Sequence, residues 1–142
     1  MSLSLTQAQT IVTAALAHAR AQKFAPLAVA VLDPRGVLKA YAAEDGTSLR
    51  RAEVAQGKAH GALSLGMGSR ALAKRAVEQP HFIAALTHVI GGSLIPVPGG
   101  VLVRDAGGAL LGAVGISGDA SDNDEAAAIA GISAAGLSAD PG

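Results

Sequence analysis

The sequence predicts an α+β fold in which helices cover the faces of an antiparallel sheet. Two pairs of short runs rich in β-branched residues flank tight turns, which is typical of β-hairpins. Three longer stretches repeat apolar residues at helical spacing. The order is helix, hairpin, helices, hairpin, helix, and hairpins separated by helices favour an antiparallel sheet over a parallel one. We expect one domain over residues 1–142, because this length suits a single core.

The first helix and the first hairpin are marked by local signals. Ser4 and Gln7 have the spacing of a capping box, and the apolar stripe behind them predicts a helix over 4–23. A buried strand over 27–32 is followed by a turn of Asp, Pro, Arg and Gly and then by a strand over 37–41.

A long helix is predicted from Thr47 or Ser48 to about residue 70. Its inward stripe consists mostly of small side chains: Ala52, Ala55, Ala59, Ala62, Leu63 and Gly66. Such a smooth face lets a helix pack about 8 Å from its neighbour.

The rest of the chain is predicted to contain two short helices, a second hairpin and a last helix. In order, these are a helix after Ser69, a helix from Pro80, strands over 101–104 and 109–116, and a helix over 121–136. We expect residues 138–142 to be a frayed tail.

The composition indicates a protein that does not act alone. It has 32 alanines and 18 glycines, and 15% of its residues are charged, against roughly 25% in typical soluble domains. So little polar surface predicts a homo-oligomer. Eleven basic and eleven acidic residues leave no net charge, and aromatic residues make up 2% of the chain. Both facts argue against nucleic acid or an anionic membrane as a partner.

Several site chemistries are excluded or disfavoured. The absence of cysteine excludes disulfides, thiolate metal sites and a cysteine nucleophile. No two of the four histidines have the spacing of three or four residues that builds a local metal site, and no metal site is predicted. The first residues lack the basic region and apolar core of a secretory signal, so we expect a cytoplasmic protein.

Two features have both a structural and a functional interpretation. His18 lies at the edge of the apolar stripe of the first helix, where it is either an ordinary half-buried imidazole or an axial ligand or acid–base group. The acidic run from Asp119 to Glu125 either caps the last helix or contacts a ligand. It lacks the glycine and the glutamate that a calcium-binding EF-hand loop needs at its sixth and twelfth positions.

Two further features are candidates for chemistry. The loop Pro98–Gly99–Gly100 offers backbone N–H groups that, together with the N-terminus of the last helix, suit a carboxylate or a propionate. Lys58 lies on the small-residue helix about two turns after Arg50 and Arg51. These three residues either form a basic wall of the cavity that would hold this carboxylate or propionate, or are ordinary exposed charges.

Several segments, taken in order, carry a resemblance to a known family: Val29-Ala-Val-Leu-Asp33-Pro-Arg-Gly36, Asp45-Gly46-Thr47, Lys58-Ala59, Ile95-Pro-Val-Pro-Gly-Gly100-Val, Gly112-Ala-Val-Gly-Ile-Ser-Gly118 and Asp124-Glu125. Over about residues 5–137 the chain resembles the GlcG/HbpS family of small haem-binding proteins, and it is similar to the C-terminal domain of PduO-type cobalamin adenosyltransferases. The resemblance implies a profilin-like, three-layer α/β/α fold with a five-stranded antiparallel sheet. It also implies an oligomer, often an octamer, haem as a cofactor, and a frequent place in catabolic gene clusters.

The leading hypothesis is a cytoplasmic homo-oligomer that binds haem or a related tetrapyrrole. Without cysteine, the iron ligand is a histidine, Met67 or an oxygen donor, and we favour His18 first and His88 second. The shortage of aromatic rings argues against a deep haem pocket. Further ligand contacts are expected from Arg51, Pro98, Gly99, Gly100 and Asp119.

The alternative hypothesis is an isomerase or lyase that acts on a small carboxylate-bearing metabolite in a catabolic pathway. Lys58 and Glu125 would be its catalytic acid–base groups, while Arg51 and the glycine loop would hold an enolate. A third hypothesis is a non-catalytic scaffold whose only role is assembly.

Overall fold

The computed structural model describes residues 1–142 and contains five helices and five strands. In chain order these are α1 (Leu5–Ala21), β1 (Ala28–Leu32), β2 (Leu38–Ala43), α2 (Arg51–Leu65), α3 (Ser69–Glu78), α4 (Pro80–Leu86), β3 (Gly100–Arg104), β4 (Leu110–Ser117), α5 (Ser121–Ala134) and β5 (Ser138–Asp140). The strands form one sheet in the order β2-β1-β4-β3-β5, and every neighbouring pair is antiparallel. The predicted α+β class with a five-stranded antiparallel sheet is confirmed.

The sheet lies between two helical layers. Helices α1 and α5 pack against each other and against one face, where the main core contains Ile11, Ile116 and Ile132. Helix α2 packs on the other face across β1, β3 and β4. Helices α3 and α4 lie beside α2 and enclose a smaller cluster of Leu72, Ile83 and Leu94. The result is a three-layer α/β/α arrangement.

The two faces of the sheet carry side chains of different size. Successive strand residues point to opposite faces, so in β1 Val29 and Val31 face α1 and α5, whereas Ala28 and Ala30 face α2. All of these side chains are fully buried. Alanine therefore forms the α2-facing side of this central strand, where it permits close packing.

The closest approach between α2 and the sheet is at Gly115 of β4. A Cβ atom at Gly115 would overlap the backbone carbonyl of Ala55 and would also lie 3.1 Å from the methyl group of Ala59. Only a residue without a side chain fits between this strand and this helix. The smooth helix face that the sequence predicts is thus matched by a smooth strand.

The helix predicted over 47–70 is shorter at both ends, since α2 covers Arg51–Leu65 and residues 69 and 70 belong to α3, the helix predicted after Ser69. Helix α2 ends at Leu65 because Gly66 adopts a left-handed conformation with φ of 68°. Its N-cap is Arg50, and neither Thr47 nor Ser48 caps it. The buried face of α2 is rotated from the predicted stripe, since Lys58 is buried while Ala52 is half-buried and Gly66 is exposed.

The prediction of a frayed tail at 138–142 is wrong. Residues Ser138–Asp140 form β5 and pair with Arg104, Val103 and Leu102 of β3. A salt bridge of 3.0 Å between Arg104 Nε and Asp140 Oδ2 supports the pairing. A neighbouring strand edge orders this segment, although its own sequence is too short to show a strand pattern.

Gly115→Ala is expected to destabilise the fold by about 3 kcal/mol, the upper end of the usual range for overpacking, because helical backbone cannot move aside as a side chain can. Urea unfolding measures the change. Gly107→Ala in the β3–β4 turn is the control, because its Cβ would meet only Asp105 Oδ1, at 3.5 Å. That variant should stay within about 0.5 kcal/mol of the parent. Equal stability of the two variants would contradict the close approach at Gly115.

Candidate functional site

The polar centre of the molecule is a buried ion pair between Lys58 of α2 and Asp124 of α5. Lys58 Nζ donates to Asp124 Oδ2 at 3.0 Å, and the two side chains are 3% and 1% exposed. The two helices lie on opposite faces of the sheet. The pair therefore connects the two helical layers. It lies beyond one end of the sheet, where β4 ends and β3 begins.

The segments that flank this end of the sheet close the ion pair. The other carboxylate oxygen of Asp124 accepts the backbone N–H of Asp119 at 2.9 Å. Gly99 lies directly on the lysine amine, since a Cβ there would be 2.9 Å from Lys58 Nζ. The N–H of Gly100 donates to Ser69 Oγ at 2.7 Å, and both residues are buried.

Burial dominates the electrostatics of the pair. It lowers the pKa of the Lys58 ammonium group, an effect that the Asp124 carboxylate opposes and that the charge of Arg51 strengthens. Burial raises the pKa of the Asp124 carboxyl, against the attraction of Lys58 and the N–H of Asp119. In each case the loss of water outweighs the attraction of the partner, so neither charge is stable in this place without the other.

Arg51 lies at the start of α2 and bridges two hydroxyl groups. Its Nη1 donates to Ser117 Oγ and its Nε to Ser48 Oγ, each at 3.1 Å. Arg51 thus ties the segment before α2 to the end of β4. Of the sequence-predicted basic wall, Arg51 and Lys58 are close enough for their charges to interact, whereas the exposed Arg50 pairs with Glu53.

Glu125 follows Asp124 in the chain and has a different partner. Both of its carboxylate oxygens accept from Arg70 Nε, at 3.0 and 3.1 Å, and Arg70 also pairs with Asp122. These two carboxylates raise the pKa of Arg70 above its already high ordinary value. Glu125 therefore anchors the start of α3 to α5, and the carboxylate that faces Lys58 belongs to Asp124.

The carboxylate of Asp119, which is predicted to contact a ligand, instead accepts hydrogen bonds from other residues of the chain. Its carboxylate accepts the N–H of Ala25 at 2.6 Å, and the N–H of Ala120 and the amide of Asn123, each at 2.7 Å. These hydrogen bonds hold the pKa of Asp119 below the ordinary value of an aspartate. Asp119 thus fastens the segment before β1 to the start of α5.

The loop Pro98–Gly99–Gly100 does not present its backbone to an outside anion. Gly99 and Gly100 are buried, and the Gly100 N–H is used by Ser69. Proline has no N–H to offer. The glycines fit this loop because Gly99 covers the lysine amine and Gly100 covers the lysine carbonyl, where a Cβ would overlap.

The four histidines differ in their surroundings. His18 is half-buried on α1, and its ring packs edge-on against Phe24 with a centroid distance of 5.8 Å and an interplanar angle of 68°. His60 lies 3.1 Å from the Ser93 carbonyl through Nδ1. His81 and His88 are exposed. The His18 ring nitrogens have no hydrogen-bond partner within the chain, and no group of three or more potential metal ligands exists.

The surface cavities lie away from the ion pair. They have volumes of about 340 to 540 Å³, and neither Lys58 nor Glu125 lines any of them. One cavity of about 360 Å³ runs along the outer face of α1, between Thr6 and Ala17. Another, of about 420 Å³, is lined by α1 and β2 and includes Lys39 and Tyr41.

The fold and its polar centre define a small α+β protein in which one closed ion pair locks two helical layers around an antiparallel sheet. The chain belongs to the HbpS-like family, whose model, described as haem degrading protein HbpS-like, matches residues 3–133. No curated protein matches the chain. None of its helices is both long enough and apolar enough to cross a bilayer.

Solved structures resemble the chain over nearly its whole length. HbpS is 30% identical, with 94% of this chain and 89% of that chain covered and a TM-score of 0.81. PduOC, solved as a complex with haem, is 24% identical with coverages of 97% and 98% and a TM-score of 0.85. Klebsiella pneumoniae protein ORFY is 21% identical with coverages of 94% and 90% and a TM-score of 0.82. The last two likenesses are evidence of the shared fold.

Removing one partner of the ion pair is expected to destabilise the fold strongly. Lys58→Met leaves the Asp124 carboxylate buried without a counter-ion, and Asp124→Asn leaves the ammonium group in the same state. Each change should cost about 3–5 kcal/mol in urea unfolding at neutral pH. The double variant should cost clearly less than the sum of the two. Additive costs would contradict direct coupling, and Lys74→Met, on an exposed pair, is the control.

The hydrogen bonds of Asp119 predict that the stability of the fold depends on pH. Its folded-state pKa is lowered from 3.8, so its contribution to stability is present above that pH and is lost as the pH falls through the folded-state value. Asp119→Asn should lower the stability by about 1 kcal/mol at neutral pH, because an amide cannot accept the same set of bonds. The difference from the parent should shrink below pH 3.8 in unfolding curves measured across pH. A difference that stays constant would contradict the assignment.

Proposed function

We propose that this chain binds haem or a related tetrapyrrole, with His18 of α1 as the ligand to the iron. Two comparisons support the class of ligand: the family is described as haem degrading, and PduOC was solved with haem bound. The observation that carries the choice of residue is the state of the His18 imidazole. It is half-buried beside an aromatic ring and has no hydrogen-bond partner in the chain.

One aromatic ring and two small apolar side chains lie near His18. Haem, when bound, would supply an iron atom, and a nitrogen of the His18 imidazole would hold it. Phe24 holds the imidazole at a fixed angle through its edge-on contact. Ala14, one helical turn before His18, and Ala17 line the neighbouring cavity along α1, together with Thr6, Gln9, Thr10 and Thr13. Lys23 is exposed just after the helix. Its ammonium group is available to a carboxylate of the ligand, a role that the buried glycine loop does not offer.

His88 is the weaker candidate of the two histidines. It lies in the turn after α4 and is exposed. No aromatic contact orients its ring, whereas the His18 ring has Phe24 beside it. Since an iron ligand must be held in one direction to bind well, the surroundings favour His18.

The proposal includes a homo-oligomer in which a second copy covers the outer side of the His18 site. His18 lines none of the surface cavities, so a flat ligand bound at its imidazole is not enclosed by this chain alone. Exposed apolar side chains near this helix, Leu5 and Tyr41, also favour burial against another copy. Eight copies and a cytoplasmic location, as the family resemblance and the sequence suggest, complete the proposal.

The isomerase or lyase hypothesis has less support. It requires Lys58 and Glu125 to act on the same substrate, yet Lys58 contacts Asp124 and Glu125 contacts Arg70. Gly99 also covers the amine that would have to reach the substrate. The geometry therefore favours haem binding at α1.

Haem titration followed by absorbance tests the proposal. The parent chain should give a saturable Soret shift, and His18→Ala should weaken binding by at least about 10-fold and move the Soret band, because the axial ligand is lost. His88→Ala is the matched control and should bind as the parent does. Full binding by His18→Ala, or a loss confined to His88→Ala, would contradict the choice of ligand. No Soret shift in the parent would contradict haem binding itself.

A further inference from the structure

Residues 138–142, which we call the C-terminal strap, reach from the edge of the sheet to the start of α3. The first part of the strap is β5, held to β3 by its ladder and by the Arg104–Asp140 salt bridge. The second part lies on the turn between α2 and α3, where the Pro141 carbonyl accepts the N–H of Arg70 at 3.2 Å. The strap thus supplies an acceptor at a helix N-terminus whose N-cap residue has no side chain to do so.

Gly68 leaves the space that the strap occupies. A Cβ on Gly68 would overlap the backbone of Pro141 and Gly142. The backbone of Gly68 has φ of −59° and ψ of 152°, which any residue adopts without strain. The absence of a side chain at this position therefore serves the contact with the strap and not the conformation of the turn.

The strap is connected to the Lys58 amine through a short series of contacts. Ser69 follows Gly68 and accepts the N–H of Gly100 through its hydroxyl group at 2.7 Å. Gly100 lies on the Lys58 carbonyl, and Gly99 lies on the Lys58 amine. Displacement of the strap would free Gly68 and Ser69. Ser69 holds the loop over the lysine together with the backbone of β4, where Ile116 donates its N–H to the Gly99 carbonyl at 3.0 Å.

The strap is also a short element at the edge of the sheet. It contributes a strand of only three residues at one edge, and these residues are exposed or half-buried. Short edge elements with few buried apolar contacts open at a lower free energy than the core. Lys58, by contrast, is 2% exposed and lies on a central helix, so it reaches solvent only if its cover moves.

We propose that the C-terminal strap is a releasable clasp that keeps the Lys58 amine closed to solvent, and that its release exposes this amine as a reactive group. The strap and the glycine loop, including the first β3 residue Gly100, open together, while α2, α5 and the rest of the sheet keep their places. This device is independent of haem binding at His18, which lies on the opposite helical layer. A failure of either proposal leaves the other intact.

A pulse of the amine-acetylating reagent N-hydroxysuccinimidyl acetate, followed by peptide mass spectrometry, tests the clasp. The chain has four lysines, and Lys23, Lys39 and Lys74 are exposed and serve as internal references. In the parent, Lys58 should react at least about 100-fold more slowly than the references. Gly68→Ala, which displaces the strap, should raise the Lys58 rate by at least about 10-fold and leave the other three rates unchanged.

Two further variants separate release of the strap from general loosening. Ser69→Ala removes the link to Gly100 while the strap stays paired, and it should also raise the Lys58 rate. Gly66→Ala strains the same turn at a positive φ but has no atom within 4 Å of its Cβ, so Lys58 should stay slow. An unchanged Lys58 rate in both Gly68→Ala and Ser69→Ala would overturn the proposal. An equal rise in Gly66→Ala would overturn it as well.

Discussion

The close packing of α2 on the small-residue face of the sheet is the constraint on which the other features depend. Gly115 allows the strand to touch the backbone of the helix, and the alanines of β1 and α2 keep the two surfaces flat. A helix this close to the sheet excludes water from its inner face. Any polar residue on that face must therefore find its partner inside the protein, which is the situation of Lys58.

The ion pair of Lys58 and Asp124 follows from that exclusion of water. A buried ion pair adds little net stability compared with apolar side chains of similar size, but the loss of one partner leaves the other charge buried and uncompensated. Here it sets the rotation and height of α5 relative to α2 around the end of the sheet. Asp119, Arg51 and Ser69 then hold the surrounding loops in place. Most of the residues that the sequence suggests as catalytic or ligand-binding thus hold neighbouring segments of the chain in place.

Local signals in the sequence were sufficient for most elements but not for the partners of charged residues. The capping box at Ser4 and the helix start at Pro80 depend on neighbouring residues only, and both were predicted. The choice of Asp124 over Glu125 depends on the rotation of α5, because adjacent helical residues point about 100° apart. The strand β5 forms only because β3 offers a free edge. Burial of Lys58 was equally unpredictable, since it depends on packing between distant segments.

The two faces of the sheet differ in how far their residues can be substituted. On the side of α1 and α5, valine, isoleucine and leucine fill a common volume, and exchanges among them are absorbed by their neighbours. On the side of α2, Gly115 has no free volume beside it, so any larger residue there would overlap the backbone of α2. Divergence in such a chain is uneven: the side of α1 and α5 can change in identity at constant volume, while positions of close backbone contact under α2, such as Gly115, cannot change.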